Sequence, residues 1–170
     1  MKYTRFEELP VWRAAIELAV QTYAVTANES FKGQASLRDQ LERAVVSISN
    51  NIAEGFERGT TQELLTFLYI ARGSAGEVRS MLCLLERLPA FNELNSQISG
   101  LKSQAESIAR QLRAWSDSLQ NSEIKGQRYL TDKTRRAAQN AREREEFIKE
   151  LRQIQAENIV RTQKSGRSSD

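Results

Sequence analysis

Apolar residues recur at alternating intervals of four and three through most of residues 10–120. This spacing puts the apolar side chains on one face of an α-helix. Thr60 lies three residues before Glu63, as in a capping box, and marks the expected start of one such helix. Pro89 marks its expected end. The apolar stripe between them is the clearest in the chain: Leu64, Leu68, Ala71, Ala75, Val78, Leu82 and Leu85.

Three further segments show the same period and predict three more helices. The first runs from about Pro10 to Thr26, and its expected core face is Trp12, Ile16, Ala19 and Tyr23. The second runs from about Ser36 to Glu54, and Gly55 suits a left-handed cap at its end. Its apolar stripe is Leu37, Leu41, Val45, Ile48 and Ile52. The last helix has the stripe Leu94, Ile98, Leu101, Ala105, Ile108, Leu112, Trp115 and Leu119.

Four amphipathic helices with short connections predict an all-α fold. We expect an antiparallel, up-down four-helix bundle over residues 1–120. Residues 121–130 have no sustained apolar pattern and predict a linker. Residues 131–160 predict an amphipathic, basic helix, whose thin apolar stripe needs a partner for ordering. Residues 161–170 predict a disordered tail.

The net charge of +3 is unevenly distributed along the chain. Residues 1–120 contain 13 lysines and arginines against 14 aspartates and glutamates, whereas residues 121–170 contain 12 against 8. The C-terminal arm is therefore basic. Such arms often contact nucleic acid or another anionic surface, and a solvated helix with a mildly basic end is an equally weighted alternative.

The composition argues against several classes of function. The sequence has no histidine, the commonest general base and metal ligand, so we expect no enzymatic activity, no metal and no cofactor. The single cysteine, Cys83, excludes an internal disulfide, fits a reducing cytoplasm and is expected to be a small buried side chain. No apolar run reaches the length of a membrane span, and the N-terminus lacks the pattern of a signal peptide.

A line of polar residues follows the second helix opposite its apolar stripe: Arg43, Ser47, Asn50 and Glu54. Glu54 is a candidate ion-pair partner of Arg43 or Arg72. A charge network of this kind fixes the register of an interface more than it adds stability.

Gly73 and Gly76 lie inside the third helix, where each glycine costs about 1 kcal/mol relative to alanine. Glycines persist in helices where another backbone passes close by. Two explanations stay open: the glycines allow close packing within the chain, or they allow close packing between subunits.

Three segments carry a resemblance to a known family. They are residues 6–15 (FEELPVWRAA), residues 37–55 (LRDQLERAVVSISNNIAEG) and residues 67–77 (FLYIARGSAGE). Together they resemble the bacterial four-helix-bundle family encoded in the intervening sequences of 23S ribosomal RNA. That family includes relatives that resemble Avd, the accessory protein of diversity-generating retroelements. The resemblance covers about residues 5–120, whereas residues 121–170 depart from the family's short form.

The resemblance implies a homopentamer, a ring of bundles without enzymatic activity that is associated with RNA or other nucleic acid. A closed ring needs two complementary faces on each protomer. The expected subunit contacts are Ser47, Asn50, Asn51, Glu54, Gly73, Gly76 and Glu77. The expected phosphate contacts are Arg13, Arg38, Arg43, Arg72 and Arg79 in the bundle and Lys125, Arg128, Lys133, Arg135 and Arg136 in the arm. Pairing of Arg43 and Arg72 with Glu54 and Glu77 would compete with the phosphate role.

We therefore expect a non-catalytic, cytoplasmic, pentameric protein that binds RNA, with DNA as a further ligand class. One alternative is the accessory subunit of a diversity-generating retroelement, which binds a reverse transcriptase and its template RNA or cDNA. Another alternative is a structural interaction module that binds no nucleic acid. A neighbouring reverse transcriptase gene, rather than a location inside a ribosomal RNA operon, would favour the retroelement.

Overall fold

The computed structural model describes residues 3–121, 140 and 143–149. Four α-helices make up most of the first range: α1 (Pro10–Thr26), α2 (Ala35–Glu57), α3 (Thr61–Leu85) and α4 (Asn95–Gln120). Short 3₁₀ turns precede α1, α2 and α4 at Phe6–Glu8, Glu29–Phe31 and Pro89–Leu94. The α-helices form a bundle in which α1 and α3 each contact both α2 and α4.

The predicted apolar face of α3 is confirmed, because every side chain in it is fully buried. The predicted start of α3 is also confirmed, since the Thr60 hydroxyl oxygen accepts a hydrogen bond from the Glu63 backbone N–H at 3.2 Å. The Thr60 hydroxyl in turn donates to the Glu63 carboxylate at 2.7 Å. The first bond satisfies one of the N–H groups in the first turn, which lack partners within the helix, and the second holds the hydroxyl in place.

The predicted core face of α1 is wrong in part. Ala19 is buried and Trp12 packs against the core, as predicted, but Ile16 and Tyr23 are exposed. Their places in the core are taken by Val11, Ala15, Leu18 and Val25. Apolar residues surround most of α1, so their period alone does not fix which face points inward. The buried set contains small side chains, which allow neighbouring helices to approach closely. The bulkier set is left on the surface.

The predicted C-terminal cap at Gly55 is also wrong. Helix α2 continues through Gly55 to Glu57, and the positive φ among the described residues belongs to Gly33, at 82°. Gly55 is buried, and a Cβ atom on it would lie 2.7 Å from the Cβ of Phe67 in α3. This glycine therefore allows α2 and α3 to approach each other closely.

The chain divides into two units, Met1–Arg128 and Tyr129–Asp170. In the second unit residues 143–149 are helical, and the side chains of Phe147 and Ile148 are exposed. Most of the predicted linker 121–130, much of the predicted helix 131–160 and the predicted tail 161–170 lie outside the described residues. None of the described helices is long and apolar enough to cross a membrane.

Candidate nucleic-acid interface

An open groove of about 820 Å³ runs between α3 and α4 on the bundle surface. Four arginines line it, two from each helix, together with two carboxylates and one aromatic ring. The α3 side consists of Tyr69, Arg72, Gly76 and Arg79. The α4 side consists of Glu106, Ala109, Arg110, Arg113 and Asp117. We call this surface the arginine groove.

Helical spacing explains why these side chains share one groove. On each helix the charged and aromatic lining residues follow one another at intervals of three, four or seven positions, so they form a row beside the buried stripe. Ala75 and Val78 fix the inward face of α3, and Ile108 and Leu112 fix that of α4. The core of the bundle thus determines the direction in which the arginines project.

Two carboxylates partly neutralise the groove and orient its guanidinium groups. Glu106 lies 3.8 Å from Arg79 and 3.1 Å from Arg110. Asp117 lies 3.7 Å from Arg113. With four arginines against two carboxylates, the lining carries a net charge of +2. The Arg79 Nε–H is buried and lacks a hydrogen-bond partner among the described residues.

Tyr69 lies at one end of the arginine groove and is held from two directions. The guanidinium carbon of Arg72 is 5.7 Å from the ring centroid, and Gln120 Nε2 donates a hydrogen bond to the phenol oxygen. The side chain nevertheless remains 39% exposed. The ring is therefore an oriented, accessible aromatic surface next to cationic groups.

The glycines of α3 do not pack tightly within the chain, so that explanation for them is wrong. Gly73 and Gly76 are exposed, and a Cβ atom on either would have no neighbour within 4 Å. Gly76 lies between Arg72 and Arg79 in the arginine groove. Its missing side chain leaves the middle of the groove open. Gly73 faces outward, and its role in packing between subunits stays a prediction.

Only two of the five bundle arginines predicted to bind phosphate, Arg72 and Arg79, share one surface. Arg13 lies on α1, where its Nε–H donates to the Glu7 carbonyl at 2.7 Å. Arg38 lies on α2 and pairs with Asp39 at 3.3 Å. Arg43 lines a separate depression on α2 that also contains Asp39 and Glu42. The predicted arm residues Lys125, Arg128, Lys133, Arg135 and Arg136 lie outside the described residues.

The predicted pairing of Glu54 with Arg43 or Arg72 is wrong. Glu54 pairs with Arg58 one turn further along α2. Among the described residues, neither Arg43 nor Arg72 forms an ion pair. Arg72 therefore remains available for an anion in the arginine groove.

The polar line on α2 is partly used within the chain. Asn51 Nδ2 donates to Ser47 Oγ at 3.0 Å, and Ser47 Oγ lies 2.9 Å from Ser74 Oγ on α3. Glu77 of α3 accepts a hydrogen bond from Gln40 Nε2 of α2 at 3.3 Å. Asn50 and Glu54 are exposed, as are Gly73, Gly76 and Glu77. The subunit role of this set stays a prediction.

The expectation that Cys83 is buried is wrong, because its side chain is exposed on α3. Among the described residues no group of three or more histidine, cysteine, aspartate or glutamate side chains is arranged to hold a metal ion. Near Cys83, Lys102 Nζ donates to Glu86 at 2.6 Å and ties α4 to the end of α3. That hydrogen bond raises the pKa of Lys102 above its ordinary value.

Sequence reasoning missed the α4 half of the arginine groove. Arg110 and Arg113 are not among the residues that the sequence analysis predicts to contact phosphate. Their signal is their spacing, since Glu106, Arg110, Arg113 and Asp117 repeat at intervals of four, three and four. Arg72 and Arg79 form a similar row on α3, and both are among the predicted phosphate contacts. Only the packing of α4 against α3 brings the two rows together in one groove.

Comparisons with known proteins agree with this architecture. A crystal structure of a protein of unknown function from the S23 ribosomal protein family of Bacteroides thetaiotaomicron shares the fold, with a TM-score of 0.56 and 21% sequence identity. The similarity covers 62% of this chain and 97% of that one. No curated protein matches the chain. The family model described as "23S rRNA-intervening sequence protein" matches residues 7–114. The chain therefore belongs to the 23S rRNA-intervening sequence protein family.

Proposed function

We propose that this protein is a non-catalytic, homopentameric RNA-binding protein and that the arginine groove is its RNA contact in the bundle. The observation that carries the proposal is the convergence of four arginines from α3 and α4 on one open groove. Membership of the family named for 23S rRNA intervening sequences supports RNA as the nucleic acid.

The groove suits phosphate because guanidinium groups form short, charge-assisted hydrogen bonds to phosphate oxygens. Arginine stays charged at any physiological pH, and its planar fork donates two parallel bonds to one phosphate. Glu106 and Asp117 pair with Arg79 and Arg113 but leave the lining with a net positive charge. Such a surface binds weakly as a single copy, and repetition in a ring multiplies its contacts.

Exposed apolar residues on the bundle support self-association. On α1, Ile16, Val20 and Tyr23 are 37%, 60% and 47% exposed, and they lie on one face. On α3, Ile70 and Leu84 are 46% and 48% exposed on the side that also carries Gly73. Two different faces of this kind suit the head-to-tail contact of a cyclic oligomer.

An antiparallel, up-down order of the helices belongs to the same proposal. Contacts between α3 and α4 support it, because Tyr69 meets Gln120, Arg79 meets Glu106, and Glu86 meets Lys102. Residue numbers thus increase along α3 while those of the contacting residues on α4 decrease, as in a pair of antiparallel helices.

RNA binding is tested with the Arg110→Glu/Arg113→Glu double variant of the full chain. We expect its affinity for a structured RNA to fall about 10- to 100-fold at low salt, because two charge-assisted contacts become repulsive. A milder variant, Arg110→Gln/Arg113→Gln, should lower the slope of log affinity against log salt by about 1.4 to 1.8 for each groove that contacts the RNA. Fluorescence anisotropy over a salt series measures both quantities.

The matched control is Arg38→Glu/Arg43→Glu, which reverses two exposed arginines of α2 outside the groove. Its affinity should stay within about threefold of the parent, since these residues lie next to Asp39 and Glu42. Equal losses in both double variants would show that general surface charge, rather than the groove, binds RNA. No binding by the parent protein at low salt would reject the proposal.

Self-association is tested by native mass spectrometry of the parent and of Ile16→Asp/Val20→Asp. We expect a dominant pentamer for the parent and a shift to monomer for the variant, because carboxylates on the apolar face of α1 would have to be buried at the contact. Gln111→Asp, on the exposed side of α4, should leave the pentamer unchanged. A monomeric parent at micromolar concentration would overturn the assembly.

A further inference from the structure

We infer that the arginine groove takes a single-stranded RNA segment, with one unpaired base stacked on Tyr69 and phosphates further along the same strand on Arg79, Arg110 and Arg113. The inference rests on the proposed RNA-binding function and narrows it. It assigns a base-contacting role to Tyr69, which charge alone does not require.

The first step is the position of Tyr69. An exposed tyrosine on a helix is common, but this one is the aromatic residue in a lining that otherwise consists of charged and small side chains. Its ring is 39% exposed and opens toward the groove that the arginines define. Base stacking on aromatic side chains beside a basic track is the usual means of binding single strands.

The second step is the orientation of the ring before any ligand binds. Gln120 donates a hydrogen bond to the phenol oxygen, and the Arg72 guanidinium lies over the ring at 5.7 Å. Both contacts limit rotation of the side chain, so a base that stacks there loses little affinity to ordering the tyrosine. The Arg72 guanidinium lies over one face of the ring, so the base stacks on the opposite face.

The third step is the length of the groove and the opening at its centre. Tyr69 and Arg79 are ten positions apart on one α-helix, which corresponds to about 15 Å along its axis. With stacked nucleotides, each of which rises about 3.4 Å along the strand axis, that length accommodates roughly four phosphates. It accommodates fewer when the nucleic-acid strand is extended. Gly76 leaves the centre of the groove without a side chain, so a sugar–phosphate backbone can lie close to α3.

The fourth step is the difference between single and double strands. In a duplex the bases are stacked on each other, so their faces cannot contact Tyr69, and only the phosphates reach the arginines. A single strand offers both contacts. The groove should therefore prefer single-stranded RNA, and the preference should depend on the aromatic ring.

The experiment compares the full-length parent with Tyr69→Leu and Tyr69→Phe. The probes are a fluorescein-labelled single-stranded RNA of roughly 12 nucleotides, within the range of known single-strand site sizes, and the same strand annealed to its complement. A second single strand carries 2-aminopurine, whose fluorescence is quenched when it stacks on an aromatic ring. Circular dichroism and thermal melting check that each variant folds.

We expect Tyr69→Leu to lower the affinity for the single strand roughly 5- to 100-fold and to leave the affinity for the duplex unchanged. Tyr69→Phe should retain most of the single-strand affinity, because it keeps the ring and loses only the hydroxyl. The 2-aminopurine signal should be quenched by the parent and by Tyr69→Phe, but not by Tyr69→Leu.

The outcomes separate this inference from the proposed function. If Tyr69→Leu binds the single strand like the parent while Arg110→Glu/Arg113→Glu loses binding, the stacking role is wrong and the RNA-binding function stands. If Tyr69→Leu weakens single strand and duplex equally, the preference for single strands is wrong. If the parent binds neither probe at low salt, both proposals fall.

Discussion

Helix α3 meets its two neighbours in opposite ways. Toward α2 the contact is closed: Gly55 removes a side chain, and Phe67 fills the space, with Arg58 stacked 5.0 Å from the centroid of its ring. Toward α4 the surface contact is open: Gly76 also removes a side chain, but nothing fills the space. The same residue type therefore serves packing on one side of α3 and access on the other.

The difference shows how one helix combines stability with a binding surface. Both sides share the fully buried stripe that includes Leu68, Ala75 and Leu82. Outside that stripe, the α2 side consists of contacts that satisfy one another: Arg58 with Phe67, Gln40 with Glu77, and Ser47 with Ser74. The α4 side consists of long arginines that extend over their neighbours. Substitutions should therefore affect folding on the α2 side and binding on the α4 side.

The largest effect is expected from Gly55→Val, which should lower the free energy of unfolding by about 3 kcal/mol. The added side chain would overlap Phe67 and approach Leu64 Cδ1, which already lies 3.3 Å from the position of a Cβ atom. Urea denaturation followed by circular dichroism measures the loss.

Gly76→Val is the matched control on the open side. Its Cβ atom meets nothing within 4 Å, so the free energy of unfolding should change by no more than about 0.5 kcal/mol, the difference in helix propensity. Equal losses in the two variants would contradict the distinction between a closed and an open side of α3.

The regular period of the apolar residues was sufficient to predict most of the fold. It located α3 and its buried face because seven apolar positions keep the four-and-three spacing from Leu64 to Leu85 without interruption. It failed on α1 because Trp12, Ile16 and Val20 extend the apolar character around the helix. The period of the apolar residues alone does not distinguish an exposed apolar face from a core face.

The glycines show a second limit of sequence reasoning. Gly55 ends a predicted apolar run, so it resembles a cap, yet the helix continues to Glu57. The residue is a glycine because Phe67 of α3 occupies the space that a side chain would need. Gly76 resembles a close contact, yet nothing approaches it. The sequence shows that a side chain is missing at a glycine, whereas only the tertiary structure shows whether another residue occupies that space. For the same reason Arg110 and Arg113 joined the candidate site only when α4 was placed beside α3.

The next largest effect concerns the point at which α3 begins. Thr60→Ala should lower the free energy of unfolding by about 1 kcal/mol, because the Glu63 backbone N–H loses the hydroxyl that caps it. Thr66→Ala is the control, since the Thr66 hydroxyl donates to the Gln62 carbonyl within the exposed helix and caps nothing. A loss in Thr66→Ala as large as that in Thr60→Ala would mean that the cap does not fix α3.

A smaller effect of opposite sign is expected at the open glycine. Gly76→Ala should raise the free energy of unfolding by about 0.5–1 kcal/mol, because alanine favours the helix and its methyl group enters empty space. Affinity for RNA should stay within about twofold, since a methyl group does not fill the groove. Thermal unfolding and anisotropy test the two statements, and a decrease in stability would show that the groove is closed at Gly76.

The smallest expected effect lies in the hydrogen bonds that join α2 to α3. Ser74 Oγ donates to the Ile70 carbonyl at 3.1 Å, so the proton of the Ser47 hydroxyl is the one directed at Ser74 Oγ, and Asn51 donates to Ser47. In this chain each group donates to the next, so the effects of Ser47→Ala and Ser74→Ala on the free energy of unfolding should not be independent. Their double-mutant cycle should give a coupling free energy of about 0.5–1 kcal/mol in urea denaturation. A coupling of zero would mean that apolar packing around Gly55, and not this polar chain, holds the closed side of α3.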